Sequence, residues 1–325
     1  MNNSNELKLQ DLVAKEEWVG SQIISYYDDL YIKGKTVKME IVDGIWAIYH
    51  DIDSRIQGMH PEETKDIIKM NYCISGRCEC VYKKNRVVYV GSRDFLASKI
   101  KHDYEMHHFP FGRYIGYSIE MTEEKLDVFL NRLFPNSKVS SQLLTKKISQ
   151  RGPFLVASNN AKIHEIFMSL MSIQGLFQEE WTILKLGELI LYILSDDLLS
   201  NDVEGKYFSQ ELINKIKHIK SCVTSDVENY MKIDEIAQKY TISNKGFTEC
   251  FKAVYGKTYY AFIKEFRIQK SAEILRTEPC KVSDVAMRVG YQNASKFSKA
   301  FHDIMGVSPL NYKKNFYITD LEQNE

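Results

Sequence analysis

Two short sets of side chains near the carboxyl terminus have the chemistry to contact nucleic acid. Within each set the residues recur at intervals of one, three or four, so each set lies along one face of a predicted helix. Short polar and cationic side chains at this spacing can reach base edges and phosphates in the major groove of DNA. The candidate DNA-binding residues are Asn244, Lys245, Thr248, Glu249 and Lys252 in the first set, and Ala294, Ser295, Ser298, Lys299 and His302 in the second.

Three residues limit what these sets can contact. Glu249 either accepts a hydrogen bond from a cytosine amino group or points to solvent, whereas Ala294 offers only apolar contact, for example to a thymine methyl group. Gly246 weakens the first helix by about 1 kcal/mol relative to alanine. The sequence therefore favours the second set for insertion into the groove and leaves open which bases the first set contacts.

Both sets lie in a sequence unit that occurs twice, at 232–256 and at 281–306. Each copy predicts a helix, a turn and a second helix that buries its phenylalanines, which is the pattern of a helix-turn-helix. Ser243 and Asn293 are predicted to cap the second helices. Glycines are predicted to end them. The matched positions, about 50 residues apart, are Ala237 and Ala286, Phe247 and Phe297, Phe251 and Phe301, and Gly256 and Gly306.

The charge distribution is consistent with a polyanionic partner for this part of the chain. The whole chain has a net charge of zero, but residues 206–317 contain 19 Lys and Arg against 11 Asp and Glu. Residues 1–205 carry 24 basic against 29 acidic residues, and the short tail 318–325 is acidic. A basic segment on an otherwise acidic chain indicates that nucleic acid would bind to that segment alone.

Residues 210–316 resemble the DNA-binding domain of the AraC/XylS family of transcription regulators. The second unit carries the more specific match, at Ala286, Gly290, Tyr291, Phe297, Phe301, Gly306, Pro309 and Tyr312. The resemblance implies two helix-turn-helix units joined by a long helix over 259–276, with recognition helices in successive major-groove segments. It also implies double-stranded promoter DNA as a partner, with RNA polymerase as a further expected partner.

The first part of the chain reads as β-structure. Residues 36–120 alternate apolar and polar side chains over short runs, and the valine-rich runs on either side of 83–86 predict a β-hairpin. Gly76, Gly91 and Gly112 are expected at turns. The run at 72–98 resembles the hairpin and Gly-x-x-Asp turn of cupin-like sensor domains, which implies a small β-barrel or sandwich able to hold an effector. Helical periodicity follows, over 125–134 and over 160–198.

Several side chains of the first part are candidates for binding a ligand or a metal ion. The candidate ligand-binding residues are Trp46, Tyr49, His60 and Tyr72, although core packing is the commoner role for such residues. His102, Glu105, His107 and His108 include metal-binding types, but their spacing favours a polar loop over a metal site. Cys73, Cys78 and Cys80 match no zinc pattern and are expected to be reduced and structural.

The sequence thus predicts an α+β chain. A cupin-like β-barrel or sandwich over 1–150 serves as sensor, 151–205 is a helical linker or dimerisation segment, and 206–317 is an all-α tandem helix-turn-helix domain. No signal peptide or membrane span is recognisable, so a cytoplasmic, nucleoid-associated protein is expected. The amphipathic helices over 160–198 predict that it forms a homodimer. Recognisable catalytic motifs are missing, so no enzyme activity, catalytic residue or cofactor is expected. The alternatives are an interaction protein without a small ligand, and a metal-dependent cupin enzyme fused to a DNA-binding domain.

Overall fold

The chain divides into two units, Met1–Ser209 and Gln210–Glu325. The structure, a computed structural model, describes residues 8–56, 59, 66–82, 86–100, 104–150, 152–173, 177–195, 198, 208–228 and 231–314. Over these residues, the first unit combines strands with a short 3-10 helix at Leu9–Leu12 and four longer α-helices, and the second unit is helical. The predicted α+β composition, with a β-rich first part and an all-helical second part, is therefore confirmed.

Antiparallel strands form the sheet of the first unit. They are β1 (Lys15–Val19), β2 (Gln22–Asp28), β3 (Ile32–Val42), β4 (Ile45–Ser54), β5 (Ile67–Tyr82), β6 (Arg86–Gly91), β7 (Asp94–Ile100), β8 (Tyr104–His108), β9 (Arg113–Thr122), β10 (Phe154–Ser158) and β11 (Phe208–Ser209). The main path of hydrogen-bonded neighbours runs β1-β2-β3-β4-β9-β5-β6-β11. The predicted hairpin across 83–86 is confirmed, because Val81 pairs with Val87 and Tyr82 with Arg86.

Strand β5 belongs to two parts of the sheet. Its first half pairs with β7 and β9, and its second half pairs with β6 and β8. The change occurs near Gly76, which has a φ of +88°. A Cβ atom at Gly76 would lie 2.1 Å from the carbonyl oxygen of Arg113, so the close approach of β9 excludes a side chain here. Gly76 therefore lies inside a bent strand, and its prediction as a hairpin turn is wrong.

Four helices cover one face of this sheet. They are α1 (Glu123–Leu133), α2 (Ser141–Ile148), α3 (Ala161–Ser172) and α4 (Gln178–Leu194). Their apolar faces share one core with the side chains that β4, β5, β7 and β9 project from the covered face. The helices that the sequence placed in a segment over 151–205 thus bury Phe167 and Ile190 within the first unit. Burial of this kind contributes about 1.5–3 kcal/mol for each large apolar side chain.

Two segments that the sequence did not predict as strands form strands. Residues 154–158, which belong to the segment predicted as a helical linker over 151–205, form β10 and pair with β7. Residues 104–108, predicted as part of a polar loop, form β8 and pair with β5. Both pairings join segments far apart in the sequence, so no local pattern signals them. His102 lies outside the described residues.

The second unit consists of helices in two repeated pairs with a connector. They are α5 (Gln210–Ser225), α6 (Ile233–Tyr240), α7 (Asn244–Tyr255), α8 (Tyr259–Thr277), α9 (Val282–Arg288) and α10 (Ala294–Met305). A further short helical stretch follows at 309–314. The predicted connector over 259–276 is confirmed as α8. None of the described helices of either unit has the length and apolarity needed to cross a lipid bilayer.

Candidate nucleic-acid interface

The first helix-turn-helix is formed by α6 and α7. The hydroxyl oxygen of Ser243 accepts a hydrogen bond from the backbone N–H of Gly246 at 3.0 Å, so Ser243 caps α7 as predicted. Phe247, Phe251 and Val254 are fully buried on one face of α7. Gly256 ends the helix with a φ of +72°, and its N–H donates to the carbonyl oxygen of Lys252 at 2.8 Å.

The second helix-turn-helix, formed by α9 and α10, repeats this geometry. The side-chain oxygen of Asn293 accepts from the N–H of Lys296 at 3.0 Å, which confirms the predicted cap. Phe297 and Phe301 are fully buried, and Gly306 ends α10 with a φ of +75°. The two second helices therefore start, pack and stop by the same interactions. We call α7 and α10 the recognition helices.

The outward face of each recognition helix follows from its buried face. On α7 that face carries Lys245, Glu249 and Lys252, and on α10 the matching positions carry Ser295, Lys299 and His302. Thr248 and Ser298 flank these positions and, like Glu249, are half-buried. The structure thus brings the members of each predicted set onto one helix side, where they could meet base edges and phosphates together.

Asn244 and Ala294 occupy the first positions of the two recognition helices. Both are exposed, but the Nδ2 group of Asn244 donates to Oδ1 of Asp234 at 2.7 Å. This bond ties Asn244 to α6 and occupies one of its donors. The Thr248 hydroxyl likewise donates to the carbonyl oxygen of Asn244 at 2.8 Å, which leaves its oxygen free to accept.

Lys296 was missed by the sequence reasoning. It is exposed in the first turn of α10, between Ser295 and the buried Phe297. The signal that could have found it is its place three residues before Lys299, which puts the two ammonium groups on neighbouring sides of one helix. A lysine at this position suits a phosphate contact beside the groove.

Arg267, on the connector helix α8, links the two helix-turn-helix units. It is 7% exposed, and its guanidinium donates to the carbonyl oxygens of Val227, Glu228 and Gly290 at 2.9–3.1 Å. Gly290 lies in the turn of the second helix-turn-helix with a φ of +79°, and a Cβ atom at this residue would lie 2.1 Å from the guanidinium. The Arg267 guanidinium therefore holds the turn of the second helix-turn-helix against the segment that leads into the first helix-turn-helix.

A cavity of about 830 Å³ lies on the sheet face of the first unit that the helices do not cover. Trp46 lines it, and the Lys38 ammonium lies 4.7 Å from its ring centroid. Tyr49 and Tyr72 are on the opposite face of the sheet, because side chains alternate along β4 and β5. The Tyr72 hydroxyl bonds to Nδ1 of His164 at 2.5 Å. His60 lies outside the described residues.

The cavity wall contains a chain of polar side chains that the sequence reasoning did not find. The hydroxyls of Tyr114 and Ser118 donate to Oδ1 of Asn71 at 3.0 and 3.1 Å. Nε2 of His50 lies 3.3 Å from the Ser118 oxygen. Burial, reinforced by the charge of Lys69 and opposed by Glu120, lowers the pKa of His50 to about 3, so the imidazole is neutral at physiological pH.

An ion pair stands beside this chain. Nζ of Lys69 lies 2.6 Å from a carboxylate oxygen of Glu120, in a register where the two residues face each other across β5 and β9. Burial alone would lower the pKa of Lys69 and raise that of Glu120, but the pairing reverses both shifts. Both groups are therefore charged, and they offer a donor and an acceptor to the cavity.

The cysteines of the first unit are reduced and buried. The Sγ atoms of Cys78 and Cys80 are 3.6 Å apart, and burial raises the pKa of Cys73 to about 12. A high thiol pKa disfavours the reactive thiolate. Within the described part of the chain, no three His, Cys, Asp or Glu side chains are grouped so that they could hold a metal ion.

The sequence of this chain is similar to that of known helix-turn-helix proteins. A family described as a helix-turn-helix domain matches residues 236–315. The chain is 24% identical over 212 residues to the uncharacterised HTH-type transcriptional regulator YdeC of Bacillus subtilis, covering 61% of this chain and 72% of that protein. It is 32% identical over 100 residues to the HTH-type transcriptional regulator MtrA of Neisseria gonorrhoeae, covering 31% of this chain.

The extent of these matches differs. The chain spans 72% of the length of YdeC but 33% of that of MtrA. Among solved structures, the carboxyl-terminal domain of AraT, a response regulator from Geobacillus stearothermophilus, is 24% identical, with a TM-score of 0.30, and the match covers 31% of this chain and 84% of that one. The match to MtrA is about as long as one pair of helix-turn-helix units.

Proposed function

We propose that the carboxyl-terminal unit is an AraC-type helix-turn-helix domain, through which the protein binds promoter DNA sequence-specifically and regulates transcription. The observation that carries the proposal is the repeated recognition helix. Both α7 and α10 bury phenylalanines on one side and leave polar side chains on the other. The relatives named above as transcriptional regulators support the same role. RNA polymerase is a further proposed partner at the promoter.

Replacing Lys299 with alanine is expected to weaken binding to a selected duplex by about 1–3 kcal/mol, because the ammonium lies on the outward face of α10 where it can donate to a guanine edge. Fluorescence anisotropy with the full chain measures the loss. Lys146→Ala removes an exposed lysine from α2 of the first unit and is the matched control. Equal affinities for the two variants would contradict the assignment. Binding of all forms should weaken as salt is raised.

We propose that the cavity of the first unit binds a small effector. Its size falls within the range of pockets that enclose small molecules, at about 830 Å³. Its wall combines an indole ring, a half-buried ion pair and a neutral histidine, so it suits a molecule with both apolar and polar parts. Mass spectrometry of molecules released from the purified protein, and of mixtures offered to it, tests occupancy. Failure to retain any of them would contradict the proposal.

We propose that the protein is a homodimer that pairs through α4. The outer face of this helix exposes Trp181, Leu184 and Leu191, and Phe177, the residue just before the helix, is exposed as well, by 42–61% in all. Their spacings of four, three and seven residues match a heptad seam. Glu188 occupies the remaining seam position and is held by Lys162 and Lys185 at 2.6 and 2.8 Å. A second copy of the same stripe would remove these side chains from water, and a dimer would bind two DNA sites with added avidity.

Replacing Leu184 with glutamate is expected to make the full chain monomeric at micromolar concentration, since it places a charge in the centre of the apolar seam. Sedimentation velocity distinguishes the two states. Val128→Glu introduces the same charge at an exposed apolar position of α1 and should leave the dimer intact. A wild-type chain that sediments as a monomer would refute the dimer.

A further inference from the structure

The two recognition helices carry opposite charges at the same position. Glu249 on α7 and Lys299 on α10 are 50 residues apart in the repeat, and each lies two residues after one buried phenylalanine and two before the next. Each therefore lies on the side of its helix opposite the buried phenylalanines, where Lys299 is exposed and Glu249 is half-buried. The two helices are alike in their caps and packing, so this position is where they differ most in chemistry.

The two side chains select different bases. A carboxylate only accepts hydrogen bonds, and in the major groove the amino group of cytosine is a donor that stands without a purine N7 acceptor on the same base edge. An ammonium only donates, and guanine offers two acceptors, O6 and N7. We propose that Glu249 selects a cytosine in the segment read by α7 and Lys299 a guanine in the segment read by α10. This inference rests on the proposed function.

The surroundings of Glu249 make a carboxylate tolerable close to phosphates. Lys245 and Lys252 share the outward face of α7, one turn before and one turn after Glu249. Their charges offset the repulsion between the carboxylate and the DNA backbone. On α10 no acid stands on the central line, because Asp303 is turned toward α8, where Lys264 lies 3.4 Å from it.

The test is selection from a random duplex pool with the full wild-type chain, followed by the same selection with Glu249→Gln. We expect a wild-type motif with a cytosine in one segment and a guanine in the other. Glutamine both donates and accepts, and it pairs with adenine, so the variant should lose about tenfold in preference for the cytosine and shift toward adenine there. The guanine should be unaffected.

Glu273→Gln is the matched control, because it removes the same charge from an exposed position of α8, outside the recognition helices. It should leave the motif unchanged. If the wild type selects a motif and Glu249→Gln changes the preference for cytosine at none of its positions, the inference fails while the proposed function stands. If the wild type selects no motif at low salt, the proposed function itself fails.

Discussion

Replacing Arg267 with methionine is expected to destabilise the carboxyl-terminal unit by about 3 kcal/mol or more and to abolish DNA binding. Methionine can fill the space of the aliphatic stem. It cannot donate to the carbonyl oxygens of Val227, Glu228 and Gly290, which the guanidinium now serves at 2.9–3.1 Å. Buried acceptors that lose a charged donor cost more than the bond itself contributed. The loss would loosen both helix-turn-helix units, because Val227 and Glu228 lead into the first of them and Gly290 lies in the turn of the second.

Hydrogen exchange read out by mass spectrometry measures this effect, since peptides from α6 to α10 report on the second unit alone. Arg276→Met is the matched control, because Arg276 is exposed on the same helix. Faster exchange is expected in both helix-turn-helix units, over α6, α7, α9 and α10, in Arg267→Met and not in the control. Protection that matches the control would show that Arg267 does not brace the units.

The second unit could be predicted closely from the sequence because its signals are local. A capping side chain lies three residues from the N–H it accepts from, and the glycines that end the recognition helices lie one residue beyond them. The role of Arg267 could not be predicted in this way. Its carbonyl partners at 227 and 290 are 40 and 23 residues away, so only the packed structure brings them together.

In the first unit, local sequence patterns predicted the hairpin of β5 and β6. They did not predict which side chains of a strand point toward the cavity. Trp46 and Tyr49 lie on one strand, yet only Trp46 faces the cavity, because odd and even positions point to opposite faces of the sheet. Which parity faces the cavity depends on how β4 pairs with β9, and those strands are far apart in the sequence. His50, Lys69 and Glu120 were missed for the same reason.

Helix α4 of the first unit has apolar residues on two sides. The periodicity over 160–198 indicates apolar faces but does not say what covers them. Leu186 and Ile190 pack on the sheet, whereas Trp181 and Leu184, on the other side of α4, remain exposed. Apolar residues on both sides of a helix are typical of a helix with two partners. The outer side is the one through which we propose that two copies pair.

The first unit is expected to lose stability on mild acidification. The pKa of His50 falls from 6.5 to about 3 on folding, so the unfolded chain takes up a proton at this residue below about pH 6.5 and the folded chain does not. The destabilisation begins near pH 6.5 and grows until the pH reaches the folded pKa. At pH 5 it should amount to about 2 kcal/mol. The pKa of Glu120 is lowered on folding, so this group adds a loss only at still lower pH.

Urea unfolding at pH 7 and pH 5 measures this loss, with tryptophan fluorescence as the probe. All three tryptophans, at 18, 46 and 181, lie in the first unit, so the signal is specific to it. His50→Gln keeps a hydrogen-bonding group near Ser118 but cannot titrate, and it should remove most of the difference between the two pH values. His302→Gln, an exposed histidine of the second unit, should retain it. A difference that survives in His50→Gln would mean that His50 can be protonated within the fold, and that the polar chain along the cavity wall does not keep the imidazole neutral.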